Sequence, residues 1–188
     1  MAHAPSTESK TVVALPPLPV VPWGAIGQHP PERIEVVRQH PDDPLPEADV
    51  VILTWTSAEW SALDHVFRNS GTERYADAYD WRDDWHPYSR SVGGFKADAK
   101  SGPLWGNFCM VRIRDRSGRA WRVLLFKSNS HLAHPPWIFG LSAMIQLILA
   151  DTKAGCIYSI GTAGGTGESE RLGDSVVTNA ALLDLQRI

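Results

Sequence analysis

Three features of the sequence predict an α/β fold. A short β-branched run, Val50 to Thr54, has the composition of a strand buried on both faces of a parallel sheet, and apolar residues at helical spacing follow it at once. Two extended segments around a turn then indicate a β-hairpin. A second buried strand, Cys156 to Ile160, runs directly into a glycine-rich segment. Strands that alternate with helices along one chain are typical of α/β proteins.

Two helices are predicted, each with its own start signal. The first begins at a capping box, in which Thr56 is followed three residues later by Glu59, and it ends at Asn69-Ser70-Gly71. The second extends from Trp137 to Ala150 after two prolines, which are tolerated in a first turn. Its apolar residues form one predicted core stripe, made of Ile138, Leu141, Ile145, Ile148 and Leu149.

The hairpin is predicted from Trp105 to Ile113 and from Ala120 to Phe126, with a glycine in the turn at residues 115–118. Several arginines lie along it, and we expect them to form a solvated strand face that the acidic residues of the preceding insertion balance. These arginines are Arg112, Arg114, Arg116, Arg119 and Arg122.

Two segments fall outside this pattern. Residues 1–49 hold ten of the 14 prolines, so we predict a Pro-rich arm or linker outside the core. A loosely ordered tail is favoured over packing of Trp23 on the domain surface or on a neighbouring subunit. The α/β domain then occupies residues 50–188. Within it, residues 71–103 are rich in aromatic and polar residues without periodicity, which predicts a surface insertion that is either a lid or a purely structural loop.

Composition and charge exclude several classes of function. A net charge of −3 gives no support for nucleic-acid binding. Cys109 and Cys156 lie far apart without CxxC or zinc spacing, so we expect reduced thiols, no metal site and a cytoplasmic protein. The apolar stretch around Met144 to Ala150 is far short of the ~20 residues that a spanning helix needs, so we expect no membrane partner.

The glycine-rich segment after Ile160 is a candidate binding loop. Glycines just beyond the carboxyl end of a buried strand let backbone N–H groups approach a ligand, at the edge where open α/β sheets bind ligands. The segment is neither a GxGxxG fingerprint nor a P-loop, so standard dinucleotide and nucleoside-triphosphate sites lack support. The alternative is a tight turn at the end of the strand.

Glu59 lies in the first turn of the first helix. If the two buried strands are parallel neighbours, this carboxylate and the glycine segment meet at the same edge of the sheet. Two interpretations of Glu59 stay open. The local pattern favours a capping box, in which the carboxylate accepts from the backbone N–H of Thr56, over a catalytic base.

Together these stretches resemble the nucleoside phosphorylase and nucleosidase superfamily. Val51 to Leu63, Ile160 to Gly165 and Leu172 to Val177 match it in order and spacing, and the resemblance covers about residues 49–184. It implies a three-layer α/β/α fold around a central mixed sheet. It also implies cleavage of the N-glycosidic bond of a purine nucleoside or nucleotide derivative, without a cofactor, by a homo-oligomer.

The resemblance also implies roles for particular residues. Glu59 matches the nucleosidase glutamate that holds the attacking water, whereas phosphate is the co-substrate of phosphorylases. Ser159 stands where bacterial hexameric phosphorylases carry a phosphate-binding arginine, which favours hydrolysis. The loop that lines the ribose and base pocket is matched by Thr162, Ala163, Gly164 and Gly165.

One departure from the family pattern limits the predicted activity. The family's ribose-binding glutamate and the aspartate that protonates the leaving purine come from later segments. We therefore expect the fold to be incomplete at the C-terminus. We also expect residues 1–188 alone to be a poor enzyme, since acid–base assistance contributes ~10²–10⁴-fold to the rate. The alternative is a non-catalytic nucleoside-sensing or assembly module of a larger protein, such as a defence protein.

Overall fold

The computed structural model describes residues 17–37, 40–69, 74–75, 84–90, 105–129 and 138–162. In chain order, its elements are β1 (Pro17–Leu18), a 3₁₀ turn (Trp23–Ile26), β2 (Glu32–Ile34), β3 (Val50–Thr54), α1 (Ser57–Arg68), β4 (Arg74–Tyr75), β5 (His86–Tyr88), β6 (Gly106–Arg114), β7 (Ala120–Ser128), α2 (Ile138–Thr152) and β8 (Cys156–Ser159). No helix within these ranges is long and apolar enough to cross a membrane.

The main sheet has six strands of mixed direction. Its order is β2-β6-β7-β3-β8, and β5 pairs with the same edge of β6 as β2 does. β3 is parallel to both β7 and β8, whereas β2, β5 and β7 are antiparallel to β6. β1 and β4 form a separate two-stranded ladder. A mixed sheet with two helices in sequence between its strands is an α/β arrangement.

The capping box at the start of α1 is formed as the sequence predicts. Thr56 has extended backbone angles, and its Oγ1 accepts from the N–H of Glu59 at 3.2 Å. Glu59 Oε2 in turn accepts from the N–H of Thr56 at 2.9 Å. The helix ends at Arg68, and the N–H of the C-cap residue Asn69 donates to the carbonyl oxygens of Asp64 and His65.

The predicted hairpin is also confirmed. β6 and β7 pair from Gly106 opposite Ser128 to Arg114 opposite Ala120. In the turn, Asp115 Oδ1 accepts from the backbone N–H of Ser117 and of Arg119. Gly118 adopts a φ of +83°, which glycine reaches at no steric cost.

Alternate strand residues divide between two apolar clusters. Because successive side chains of a strand point to opposite faces, the clusters lie on opposite sides of the sheet. One combines α2 with strand residues, and its members include Val51, Leu53, Phe108, Met110, Leu124, Phe126, Met144, Leu147 and Ile148. The other combines α1 with the alternate strand residues, and its members include Ile52, Trp60, Leu63, Cys109, Val111, Val123 and Leu125.

Two predictions of burial are wrong in detail. On α2, Met144, Leu147 and Ile148 are buried, but Leu149 is 39% exposed because it lies one residue, about 100° around the helix, from Ile148. β8 is not buried on both faces, and Tyr158 is 55% exposed. Within the described residues, β8 is the outer strand of the sheet, so its side chains have strand neighbours on one side only.

The Pro-rich segment contributes more than the predicted arm. β2 pairs with β6, with Ile34 opposite Met110, and both Leu45 and Ala48 are buried in the cluster that contains α2. The expectation that residues before 50 stay outside the core is therefore wrong for these residues. Prolines disfavour helix, but they are compatible with a short edge strand and with apolar residues placed between them.

Two buried carboxylates fasten part of the insertion to the helices. Asp64 of α1 accepts from the indole N–H of Trp85 at 2.9 Å. Asp151 of α2 accepts from the Tyr88 hydroxyl at 2.7 Å and is also paired with Arg90. Trp85 and Tyr88 are themselves buried. The other residues of 71–103, apart from 74–75 and 84–90, lie outside the described residues.

The hairpin arginines are paired differently from the prediction. Arg112 and Arg114 both contact Glu32 of β2, and Arg122 contacts Asp49. Hydrogen bonds from the two arginines lower the pKa of Glu32 below its ordinary value. These acidic partners precede the insertion instead of belonging to it. They contact the arginines because strand pairing brings β2 alongside β6 and the start of β3 alongside β7.

Substitution of Gly106 provides a test of the packing within the sheet. A Cβ at this position would lie 2.6 Å from the Phe126 ring and would also collide with the Lys127 carbonyl oxygen. We expect Gly106→Ala to lower the free energy of unfolding by about 1–3 kcal/mol, as overpacking does. Gly155→Ala is the matched control, because a Cβ there meets open space, and its effect should be within about 0.5 kcal/mol. Equal effects of both variants in denaturant unfolding would contradict this packing.

Candidate functional site

The candidate site lies where three strands end together. β7, β3 and β8 run in the same direction, with Thr54 opposite Lys127 and Leu53 opposite Ser159. Their carboxyl ends therefore share one edge of the sheet, the position at which open α/β sheets bind ligands. α1 begins directly after β3, and the glycine segment directly after β8. The parallel neighbours required by the sequence argument are present.

Glu59 connects the two segments at this edge. Its Oε2 accepts from the backbone N–H groups of Trp55 and Thr56, each at 2.9 Å. Its Oε1 accepts from the backbone N–H of Thr162 at 3.0 Å and from the Thr162 hydroxyl at 3.4 Å. A Cβ on Gly161 would lie 3.3 Å from Oε1, tighter than most such contacts, so glycine suits this close approach. The carboxylate thus joins the start of α1 to the end of β8.

These contacts determine the charge of Glu59. Partial burial acts to raise its pKa, but hydrogen bonds from Thr162, Thr56 and Trp55 outweigh that effect and hold the pKa below its ordinary value. The group is therefore an anion near neutral pH. A carboxylate has about four lone-pair positions, and four donors of the chain occupy them. To hold a water molecule or accept a proton, Glu59 must give up one of these donors.

Trp55 and Ser159 form a second link across the same edge. The Trp55 indole N–H donates to Ser159 Oγ at 2.9 Å, so a side chain at the end of β3 is tied to one at the end of β8. Trp55 is half-buried and packs against the cluster that contains α2. In the sequence, Ser159 is notable only for its lack of charge, and Trp55 has no predicted role. No local pattern marks this pair, because its two residues are far apart in sequence.

Of the predicted site residues, Glu59 and Thr162 are brought together. Ala163, Gly164 and Gly165 lie outside the described residues. Within the described ranges, no three His, Cys, Asp or Glu side chains are placed to hold a metal ion.

A separate cleft of ≈ 570 Å³ lies at the other end of α1 and contains none of the predicted residues. Arg33 and Arg68, which line it, both contact Asp84, at 3.3 Å each. Arg33 also donates to the Arg68 carbonyl oxygen, which caps the C-terminus of α1. These pairings give both arginines a structural role, so we assign the candidate site to the edge that holds Glu59.

The carboxylate of Glu59 gives a pH-dependent prediction. Its pKa is depressed in the folded chain, so the stability that it contributes is fully present above the ordinary value of 4.5 and is lost as the pH falls through the lower, folded value. We expect Glu59→Gln to be less stable than the parent by a margin that is constant above about pH 6 and shrinks at acid pH.

Denaturant unfolding across this pH range measures the margin. Thr56→Ser is the control, because it keeps the cap and adds no titratable group. A margin for Glu59→Gln that stays flat down to about pH 3 would contradict the assigned hydrogen bonds.

Comparison of the chain with protein-family models, with curated proteins and with solved structures finds no match in any of the three. A function can therefore be inferred only from the motifs and from the geometry of this edge.

Proposed function

We propose that this domain binds a purine nucleoside or nucleotide derivative at the carboxyl edge of β3 and β8 and cleaves its N-glycosidic bond by hydrolysis. The observation that carries the proposal is the Glu59 carboxylate, which contacts Trp55 directly after β3 and Thr162 shortly after β8. The resemblance of these two segments to the nucleoside phosphorylase and nucleosidase superfamily supplies the reaction class.

In the proposed reaction, Glu59 positions the attacking water. Exchange of one Thr162 hydrogen bond for a water molecule would keep the carboxylate anchored by Trp55 and Thr56 while its Oε1 accepts from the water. An anionic carboxylate beside the sugar also stabilises the positive charge that develops at the anomeric carbon. Thr162 and the following Ala163, Gly164 and Gly165 would line the ribose and base.

Hydrolysis is favoured over phosphorolysis by the character of Ser159. This side chain is neutral, and its hydroxyl accepts from Trp55. An arginine would offer charge-assisted, bidentate hydrogen bonds to phosphate, whereas a serine offers a single hydroxyl. Water is therefore the proposed nucleophile, with phosphate as the co-substrate that the experiment must test.

The proposal includes the finer description of the fold. A three-layer α/β/α arrangement is supported by the two apolar clusters, one of which contains α1 and the other α2. The family pattern further implies a homo-oligomer, with the remaining catalytic residues outside the segments that match here. The cysteine pattern favours a cytoplasmic protein.

One observation favours a second candidate, a nucleoside-binding or assembly module without catalysis. The chain's own donors fill the acceptor positions of Glu59, and its lowered pKa makes it a weak base. A purely structural Glu59 would cap α1 and hold the start of the glycine segment in place for a bound nucleoside. The two candidate functions differ in whether replacement of Glu59 lowers the rate of base release.

The test is chromatographic detection of free base after incubation with purine nucleosides, nucleotides and thionucleosides, with and without phosphate. We expect release without phosphate and a rate for Glu59→Gln lowered by about 10²–10⁴-fold, the usual contribution of acid–base assistance. Release that depends on phosphate would contradict hydrolysis. Absence of release from every substrate would favour the binding module.

Thr56→Ala is the matched control for stability. It removes the side-chain cap, at a cost of about 0.5–2 kcal/mol, but leaves the Glu59 carboxylate intact. We expect its rate of base release, per folded molecule, to stay close to that of the parent. Equal rates of base release for Glu59→Gln and Thr56→Ala would contradict a catalytic role of Glu59 and leave it a capping role only.

A further inference from the structure

Trp55 lies closer to the candidate site than its sequence position suggests. Its backbone N–H donates to Glu59 Oε2 at 2.9 Å, and its indole N–H donates to Ser159 Oγ at 2.9 Å. The residue therefore contacts both the carboxylate and the end of β8. It is the first residue after β3, at the edge where α/β sheets bind ligands.

The indole ring is fixed in orientation. The hydrogen bond to Ser159 holds its polar end, and contact with the cluster that contains α2 supports its apolar body. The residue is half-buried, so part of its surface stays accessible. A rigid aromatic surface loses little conformational entropy when a ligand stacks on it, which is why fixed aromatic side chains are effective contact surfaces.

Planar heterocycles are the ligands that such a surface suits. Nucleobases stack on aromatic side chains with little dependence on which base is present, because every base has a π-face. Sugars and simple phosphates offer no such face. Trp55 also fits a nucleoside because its backbone N–H contacts Glu59 while its indole contacts Ser159, so the ring and the carboxylate lie at the same edge of the sheet.

We infer that the Trp55 indole is the surface on which the base of the bound nucleoside stacks, with Ser159 as the residue that orients the ring. This inference rests on the proposed function for the identity of the ligand. It adds a base-binding residue to which the resemblance assigns no role.

Calorimetric titration of the full chain with adenine tests this inference, with D-ribose as the non-aromatic probe. Loss of base stacking costs about 1–3 kcal/mol, so we expect Trp55→Leu to weaken adenine binding by about 5- to 150-fold. Trp55→Phe keeps an aromatic face and should remain within about 3-fold of the parent. Ser159→Ala removes one hydroxyl from an exposed residue and should weaken binding by less than Trp55→Leu.

Trp121→Leu, a change of the same kind on the hairpin, is the matched control, and we expect it to leave adenine binding unchanged. Ser159→Ala keeps the inference testable even where Trp55→Leu fails to fold. Equal adenine affinity of the parent, Trp55→Leu and Ser159→Ala would overturn the inference, as would the absence of adenine binding to the parent at millimolar concentration.

The same variants separate this inference from the proposed reaction. Adenine binding that needs Trp55, without base release from any nucleoside, would support the stacking surface and contradict the hydrolysis. Base release by Trp55→Leu with unchanged KM would overturn the stacking surface and leave the hydrolysis in place.

Discussion

The parallel pairing of β3 with β7 on one side and β8 on the other is the constraint on which the candidate site depends. It aligns the carboxyl ends of three strands, and only this alignment brings a residue near position 59 within hydrogen-bond reach of one near position 162. The Glu59 carboxylate then reinforces the alignment, because it bonds to the segments that follow both strands. Sheet topology and site geometry therefore support each other.

Buried polar groups also connect distant segments of the chain. The side chains of Asp64 and Asp151 are both buried, and each accepts from donors in a different part of the chain. A buried carboxylate without partners is strongly unfavourable, so these groups specify which segments must meet. One fastens the insertion to α1, and the other fastens it and the Pro-rich segment to α2. Within the insertion, Trp85 is thus held by α1, whereas Tyr88 and Arg90 are held by α2.

Features set by local sequence were predictable, and features set by tertiary contacts were not. The capping box of Thr56 and Glu59 and the glycine turn of the hairpin involve residues within a few positions of each other, so their patterns are visible in the sequence. The contact between Glu59 and Thr162 was predictable only on the condition of parallel neighbours. The pairing of Trp55 with Ser159, the burial of Leu45 and the exposure of Leu149 depend on which faces the fold covers, and no local pattern carries that information.

The outer edge of β6 is shared by two short strands from distant parts of the chain. β5 covers residues 106–108 and β2 covers residues 110–112, so each protects a different half of the edge. An uncovered strand edge presents unpaired N–H and C=O groups and is a template for association with other chains. The N-terminal segment thus protects the sheet from association with other chains, in addition to its contribution to the core. A fragment that starts at residue 50 would leave half of this edge, beside Val111, open to pairing with neighbouring molecules.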